Sequence, residues 1–129
     1  MRIEHVAIWT QNLDRSKNFY ETYFQATAGQ KYENPKKGFA SYFLTFQSGA
    51  RLEIMFILSL ADVSKDNEKP SIGYAHIAIS VGSKEMVDEI TQLLKQDGFL
   101  LIDEPRTTGD GYYESVVLDP DGNKIEITI

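Results

Sequence analysis

Histidine occurs only twice in this chain, at His5 and His76, and each sits in a short, apolar, β-prone run. Those runs, residues 3–9 and 74–81, are separated by 76 − 5 = 71 positions. Two further matches run in parallel with them. Glu53 pairs with Glu126 at an offset of 126 − 53 = 73, and Gly49 pairs with Gly122 at the same 73. One small insertion reconciles the two offsets. Because only two copies are present, the pattern indicates an internally duplicated domain and not a solenoid.

The order of elements repeats with the ligand-type residues. In the first half the strand at 3–9 precedes Asn12, an N-cap residue, and a helix whose apolar stripe is Leu13, Phe19, Tyr20, Tyr23 and Phe24. The turn-rich stretch Glu33-Asn34-Pro35-Lys36-Lys37-Gly38 leads into strands at 39–47 and 51–58, joined at Ser48-Gly49. In the second half the strand at 74–81 precedes Ser83 as N-cap. Glu85 lies in the first helical turn, and the stripe is Met86, Val87, Ile90, Leu93 and Leu94. Gly98 ends that helix. Strands follow at 99–102, 112–118 and 124–129, the last two joined by Asp119-Pro120-Asp121-Gly122. The chain thus reads as one domain, 1–129, with module one at 1–58, a polar linker at 59–73 and module two at 74–129. The linker carries the mixed-charge run Lys65-Asp66-Asn67-Glu68-Lys69, which reads as solvated.

Strand side chains alternate faces with period two, so each strand can be split into two rows. Val6 and Ile8 oppose His5 and Ala7. Leu52, Ile54 and Phe56 oppose Arg51, Glu53 and Met55. Ile77, Ile79 and Val81 oppose His76 and Ala78. Ile125, Ile127 and Ile129 oppose Lys124, Glu126 and Thr128. One row is apolar and suits packing on a helix. The other row carries a single His or Glu near its middle. A lone strand His is most often a hydrogen-bonded residue, and a lone strand Glu most often faces solvent. The matched positions in both halves tip the balance towards a metal site. Two imidazoles and two carboxylates suit a divalent ion such as Zn²⁺, Ni²⁺, Co²⁺, Mn²⁺ or Fe²⁺.

Composition removes several alternatives. A net charge of −6 with scattered basic residues disfavours nucleic-acid binding, which wants clustered Lys and Arg. No apolar run approaches the ~20 residues needed to span a membrane. The chain has no cysteine, which excludes disulfides and thiolate metal sites. The absence of a secretory leader and of cysteine fits a cytoplasmic protein.

The segment Val117-Leu118-Asp119-Pro120-Asp121-Gly122-Asn123-Lys124-Ile125-Glu126-Ile127 resembles the closing signature of the vicinal oxygen chelate superfamily, which includes glyoxalase I, extradiol dioxygenases, fosfomycin-resistance proteins and bleomycin-binding proteins. Ile3-Glu4-His5-Val6-Ala7-Ile8, Asn12-Leu13-Asp14-Arg15-Ser16 with Phe19-Tyr20, and Tyr74-Ala75-His76-Ile77-Ala78-Ile79-Ser80-Val81 resemble its opening strand, helix and second-module start. The resemblance implies an α+β fold of two βαβββ modules forming a cupped mixed sheet, with helices on the convex face. It implies His5, Glu53, His76 and Glu126 as metal ligands, a set most similar to that of bacterial glyoxalase I, a lactoylglutathione lyase. By the same resemblance, the protein is a lyase or isomerase of small hydroxy-carbonyl or thiol-adduct substrates, working through a metal-stabilised enediolate. Glu126 would be the base and Glu53 the group serving the opposite face. Two departures point away from glutathione: Trp9 and Ile57 stand where bacterial glyoxalase I usually has an Arg and an Asn.

The alternative within the same superfamily is a resistance-type thiol transferase or a small-molecule-binding protein. Trp9, Arg51, Arg106 and Tyr113 are further candidates for substrate contact. Arg51 has the competing option of an ion pair inside the sheet, and Trp9 that of core packing. Arg106 and Tyr113, with Tyr112, lie on the approach to a predicted strand and are candidates for a gating loop. A homodimer is the expected assembly, because small proteins of this kind often build their sites between subunits.

Overall fold

The computed structural model describes residues 1–61, 69–70 and 72–129. Most of the central charged run, at 65–68, lies outside the described residues. The chain divides into two compact units, Met1–Val63 and Ser64–Ile129. Each has its own mixed sheet and one long helix, so the α+β architecture of two βαβββ-like modules is realised as two sheets.

In the first unit, β1 (His5–Trp9) leads to α1 (Leu13–Phe24). Two short strands follow, β2 (Thr27–Ala28) and β3 (Tyr32–Asn34). Then come β4 (Phe39–Thr45) and β5 (Arg51–Ile57). The strand order is β1-β5-β4-β2, with β3 also pairing β4. In the second unit, β6 (Ile77–Ser80) leads to α2 (Lys84–Gln96), then β7 (Leu101–Thr107), β8 (Tyr113–Leu118) and β9 (Lys124–Thr128). The order there is β6-β9-β8-β7. In both units the first strand pairs in parallel with the last, and the last pairs antiparallel with its predecessor.

The helices begin where their caps dictate. Asn12 Oδ1 accepts from the Arg15 amide at 3.0 Å, and Ser83 Oγ accepts from the Met86 amide at 3.2 Å. Each bond satisfies a donor that the first helical turn leaves open. α1 buries Leu13, Phe19, Tyr20 and Phe24 and packs on β4 and β5. α2 buries Val87, Ile90 and Leu94 against β7, β8 and β9. Leu93, expected in that stripe, is exposed, and Thr91 is buried in its place. Thr91 is tolerated there because its hydroxyl donates to the Val87 carbonyl at 2.6 Å, leaving Ser115 to donate to Thr91, also at 2.6 Å. In the first unit Thr10 and Ser16 make a comparable buried hydroxyl pair at 2.6 Å.

The sheets supply the facing core: Leu44, Leu52 and Ile54 in one unit, Val117, Ile125 and Ile127 in the other. On β5 and β9 these buried residues alternate with Glu53 and Glu126, as period two requires. The hairpin turns hold that alternation in register. Asp119, itself buried, accepts from the amides of Asp121 and Asn123 at 2.9 and 2.8 Å and from Asn123 Nδ2 at 2.7 Å. Gly122 takes φ 77°, and Gly49 takes φ 88° in the matching hairpin. This left-handed region is strained for side chains other than glycine's. The Asp-Pro-Asp-Gly-Asn signature is therefore a register lock, setting Leu118 opposite Lys124 and Val116 opposite Glu126. Among the described residues, no helix is long and apolar enough to cross a membrane.

Candidate metal centre

Each unit brings one imidazole beside one carboxylate. In the first, β1 and β5 place Ala7 opposite Glu53, so His5, two residues back on the same face, reaches diagonally across. His5 Nε2 lies 3.9 Å from Glu53 Oε2. In the second, Ala78 stands opposite Glu126, and His76 precedes it by the same two residues. His76 Nε2 lies 3.4 Å from Glu126 Oε2. The two pairs share one strand register, and so follow from the duplicated module and not from local accident. In both, the imidazole is about two-fifths exposed and the carboxylate mostly covered, at 40% against 15% and 43% against 18%.

The donor set suits a borderline divalent cation. Ligands held roughly 2.0–2.2 Å from a common ion at tetrahedral or octahedral angles are about 2.8–3.6 Å from one another. The His76–Glu126 separation of 3.4 Å falls in that range, and His5–Glu53, at 3.9 Å, lies beyond it. Among the described residues, no group of three or more His, Cys, Asp or Glu side chains converges on one point to hold an ion.

The remaining candidates are distributed unevenly. Arg51 takes the ion-pair option: its guanidinium binds Glu4 and stacks over the Phe43 ring at 4.2 Å. Trp9, 45% exposed, lies on the His5 face of β1, edge-on to Phe39 at 6.3 Å. Arg106 is within β7 and not on a loop, paired in register with Glu114 and 3.3 Å from its carboxyl. Tyr113 is turned to the helix: its hydroxyl donates to Asp88 of α2 at 2.8 Å, and Lys84 lies over its ring. It therefore takes the face of β8 opposite the one that carries Glu114.

Two residues beside the pairs were not marked by the parity of β1, β5, β6 and β9. Glu4 contacts His5. Glu114 is buried on β8, two residues from Val116, the partner of Glu126. Burial pushes the Glu114 carboxyl above the ordinary range, and the neighbouring Glu126 charge pushes the same way, with Arg106 opposing. The signal in the sequence was a lone acid heading the otherwise apolar stretch that ends in Val116-Val117-Leu118.

The sign of the Glu114 effect is definite. An unfolded chain ionises this carboxyl near pH 4.5, while the folded protein holds its proton to higher pH. Stability contributed by the protonated form is therefore lost as pH rises from that value through the folded pKa. Glu114→Gln keeps the shape without the charge. It is expected to raise the Tm of the metal-free protein near neutral pH, with the gain vanishing in mild acid. Thermal melts of both proteins across that pH range check this, and a neutral-pH loss of stability in the variant would contradict it.

The fold is thus a duplicated βαβββ frame that carries one His–Glu pair in each module. The profile of the Glyoxalase/Bleomycin resistance protein/Dioxygenase superfamily matches residues 2–127, and the chain belongs to that superfamily. It is 29% identical to a probable lactoylglutathione lyase of Vibrio cholerae, over 98% of this chain and 88% of that protein. It is 30% identical to a probable trivalent organoarsenical cleaving enzyme of Bacillus subtilis, over 98% of this chain and 78% of that one. Among solved structures, the trypanothione-dependent glyoxalase I of Leishmania major aligns with a TM-score of 0.77 at 26% identity, covering 99% of this chain and 86% of that chain.

Proposed function

We propose that the chain is a metal-dependent lyase or isomerase acting on a small hydroxy-carbonyl or thiol-adduct substrate. In this reading His5, Glu53, His76 and Glu126 are the ligands of one divalent cation. The observation that carries the reading is the recurrence of the same His–Glu pair, in the same strand register, in both modules. Similarity to the lactoylglutathione lyase and to the glyoxalase I supports the reaction class.

A bound divalent cation supplies Lewis-acid polarisation of a substrate carbonyl. The protein's own contribution is proton movement. Glu126 takes the proton from the carbon beside that carbonyl, and Glu53 serves the opposite face. Both carboxylates are mostly covered, which keeps them from full hydration and holds them beside the imidazoles that would share the ion. Trp9 and Arg106 stand on the same faces of their sheets as these pairs and are the candidate substrate contacts.

The test is metal content of the purified protein, with native mass to count chains per ion, followed by assays with hemithioacetals, acyl-CoA epimers, fosfomycin plus thiols, and trivalent organoarsenicals. Near-stoichiometric metal and exchange of a substrate C–H with solvent deuterium are expected. A protein that takes up no divalent ion even after reloading would overturn the reading.

A further inference from the structure

The two His–Glu pairs match in register but differ in what stands behind the imidazole. In the first unit four side chains close a ring. Glu4 Oε2 lies 2.5 Å from His5 Nδ1, and because a carboxylate can only accept, Nδ1 carries the proton. The other oxygen of Glu4 binds the Arg51 guanidinium. Arg51 lies over the Phe43 ring at 4.2 Å, and Phe43 meets the His5 ring edge-on at 5.3 Å.

Among the described residues, the second unit has none of these braces. The offset of 71 puts Ala75 where Glu4 stands. The offset of 73 puts Lys124 at the place of Arg51 and Val116 at that of Phe43. The register supports the match, since Phe43 faces Glu53 as Val116 faces Glu126.

We infer that Glu4 is a positioning residue for His5, held by Arg51 and Phe43, and that it sets the imidazole as the Nδ1–H tautomer with Nε2 free and directed to Glu53. His76 has no carboxylate behind Nδ1 among the described residues, and the one it does meet, Glu126, stands on its Nε2 side. The functional value of this asymmetry rests on the metal reading above, but the positioning itself does not. An imidazole oriented in advance loses less freedom when its Nε2 becomes a ligand, and removing such an outer carboxylate typically costs 10- to 100-fold in metal affinity.

With only two histidines in the chain, the ring nitrogens can be read one by one. Long-range proton–nitrogen NMR would be recorded on metal-free protein above the pH range in which imidazoles titrate. His5 is expected almost wholly as the Nδ1–H tautomer, and His76 without that preference. Glu4→Ala should return His5 to a mixture and leave His76 unchanged. Glu4→Gln, whose amide oxygen still accepts, should restore most of the Nδ1–H form. Arg51→Met, which frees Glu4 without removing it, should give a smaller shift. A His5 tautomer population identical in wild type and Glu4→Ala overturns the inference. Competition with a chromophoric chelator for Co²⁺ reads the consequence, expected as about a 10- to 100-fold loss of affinity in Glu4→Ala. If the wild type binds no Co²⁺ while the tautomer responds as described, the metal reading falls and the positioning role stands.

Discussion

Changing His5→Ala and Glu126→Ala together should leave a folded protein that no longer retains a divalent cation. Neither side chain belongs to the apolar core: His5 is well exposed, and Glu126 projects from the face of β9 opposite the buried Ile125 and Ile127. Their removal therefore leaves the helix-packed side of each sheet intact. The double change breaks one pair in each unit, so neither unit keeps a two-ligand grip. Loss of an outer-shell partner alone costs roughly 10- to 100-fold in affinity, and loss of two of the four proposed ligands should exceed that by a wide margin. Elemental analysis after dialysis, beside circular dichroism to confirm folding, reads the result. Stoichiometric metal in the double variant would mean that other residues hold the ion.

Glu126→Gln should separate binding from chemistry. The amide oxygen can still approach a cation but is a very poor proton acceptor. Positioned acid–base groups contribute about 10²- to 10⁴-fold to rate, and a loss of that size is expected in exchange of the substrate C–H with solvent, with a smaller effect on metal content. Glu53→Gln provides the comparison and should fall less if Glu126 is the principal base. Full activity in Glu126→Gln would remove Glu126 from the proton-transfer role. Glu114 makes this variant informative in a second way. Its carboxyl is raised partly by the charge on Glu126, so neutralising Glu126 should bring Glu114 back towards the ordinary range.

What was legible in the sequence follows period and spacing. The alternation in β1, β5 and β9 assigned the correct rows because a strand has only two faces, and Asn12 and Ser83 marked both helix starts through their side-chain oxygens. The edges of the sheets were harder. β2 and β3 are too short to show a period and exist through pairing with β4. β7 runs further than expected, to Thr107, and contains Pro105. Proline is tolerated because β7 is an edge strand with irregular pairing to β8. The Glu4–His5–Arg51–Phe43 ring and the Glu114–Glu126 contact were not legible for a related reason. Each depends on which residues of different strands meet, and register is a property of the paired sheet that a single strand's pattern does not carry.

The parallel pairing of first and last strands also governs when each His–Glu pair comes into being. His5 and Glu53 are 53 − 5 = 48 residues apart, and His76 and Glu126 are 126 − 76 = 50 apart. The hairpins β4–β5 and β8–β9 close over a few residues and are inexpensive in chain entropy, whereas docking β1 on β5 or β6 on β9 closes almost an entire unit. Contacts of such separation carry a larger loop-closure cost than the hairpins and slow folding. The imidazole and its carboxylate thus meet only once a unit's outermost stretch has been threaded home, and they part as soon as that strand peels away. A cation gripped there would act as a clasp on the least local strand pairing described in each unit, and its release during unfolding would time the detachment of the leading strand.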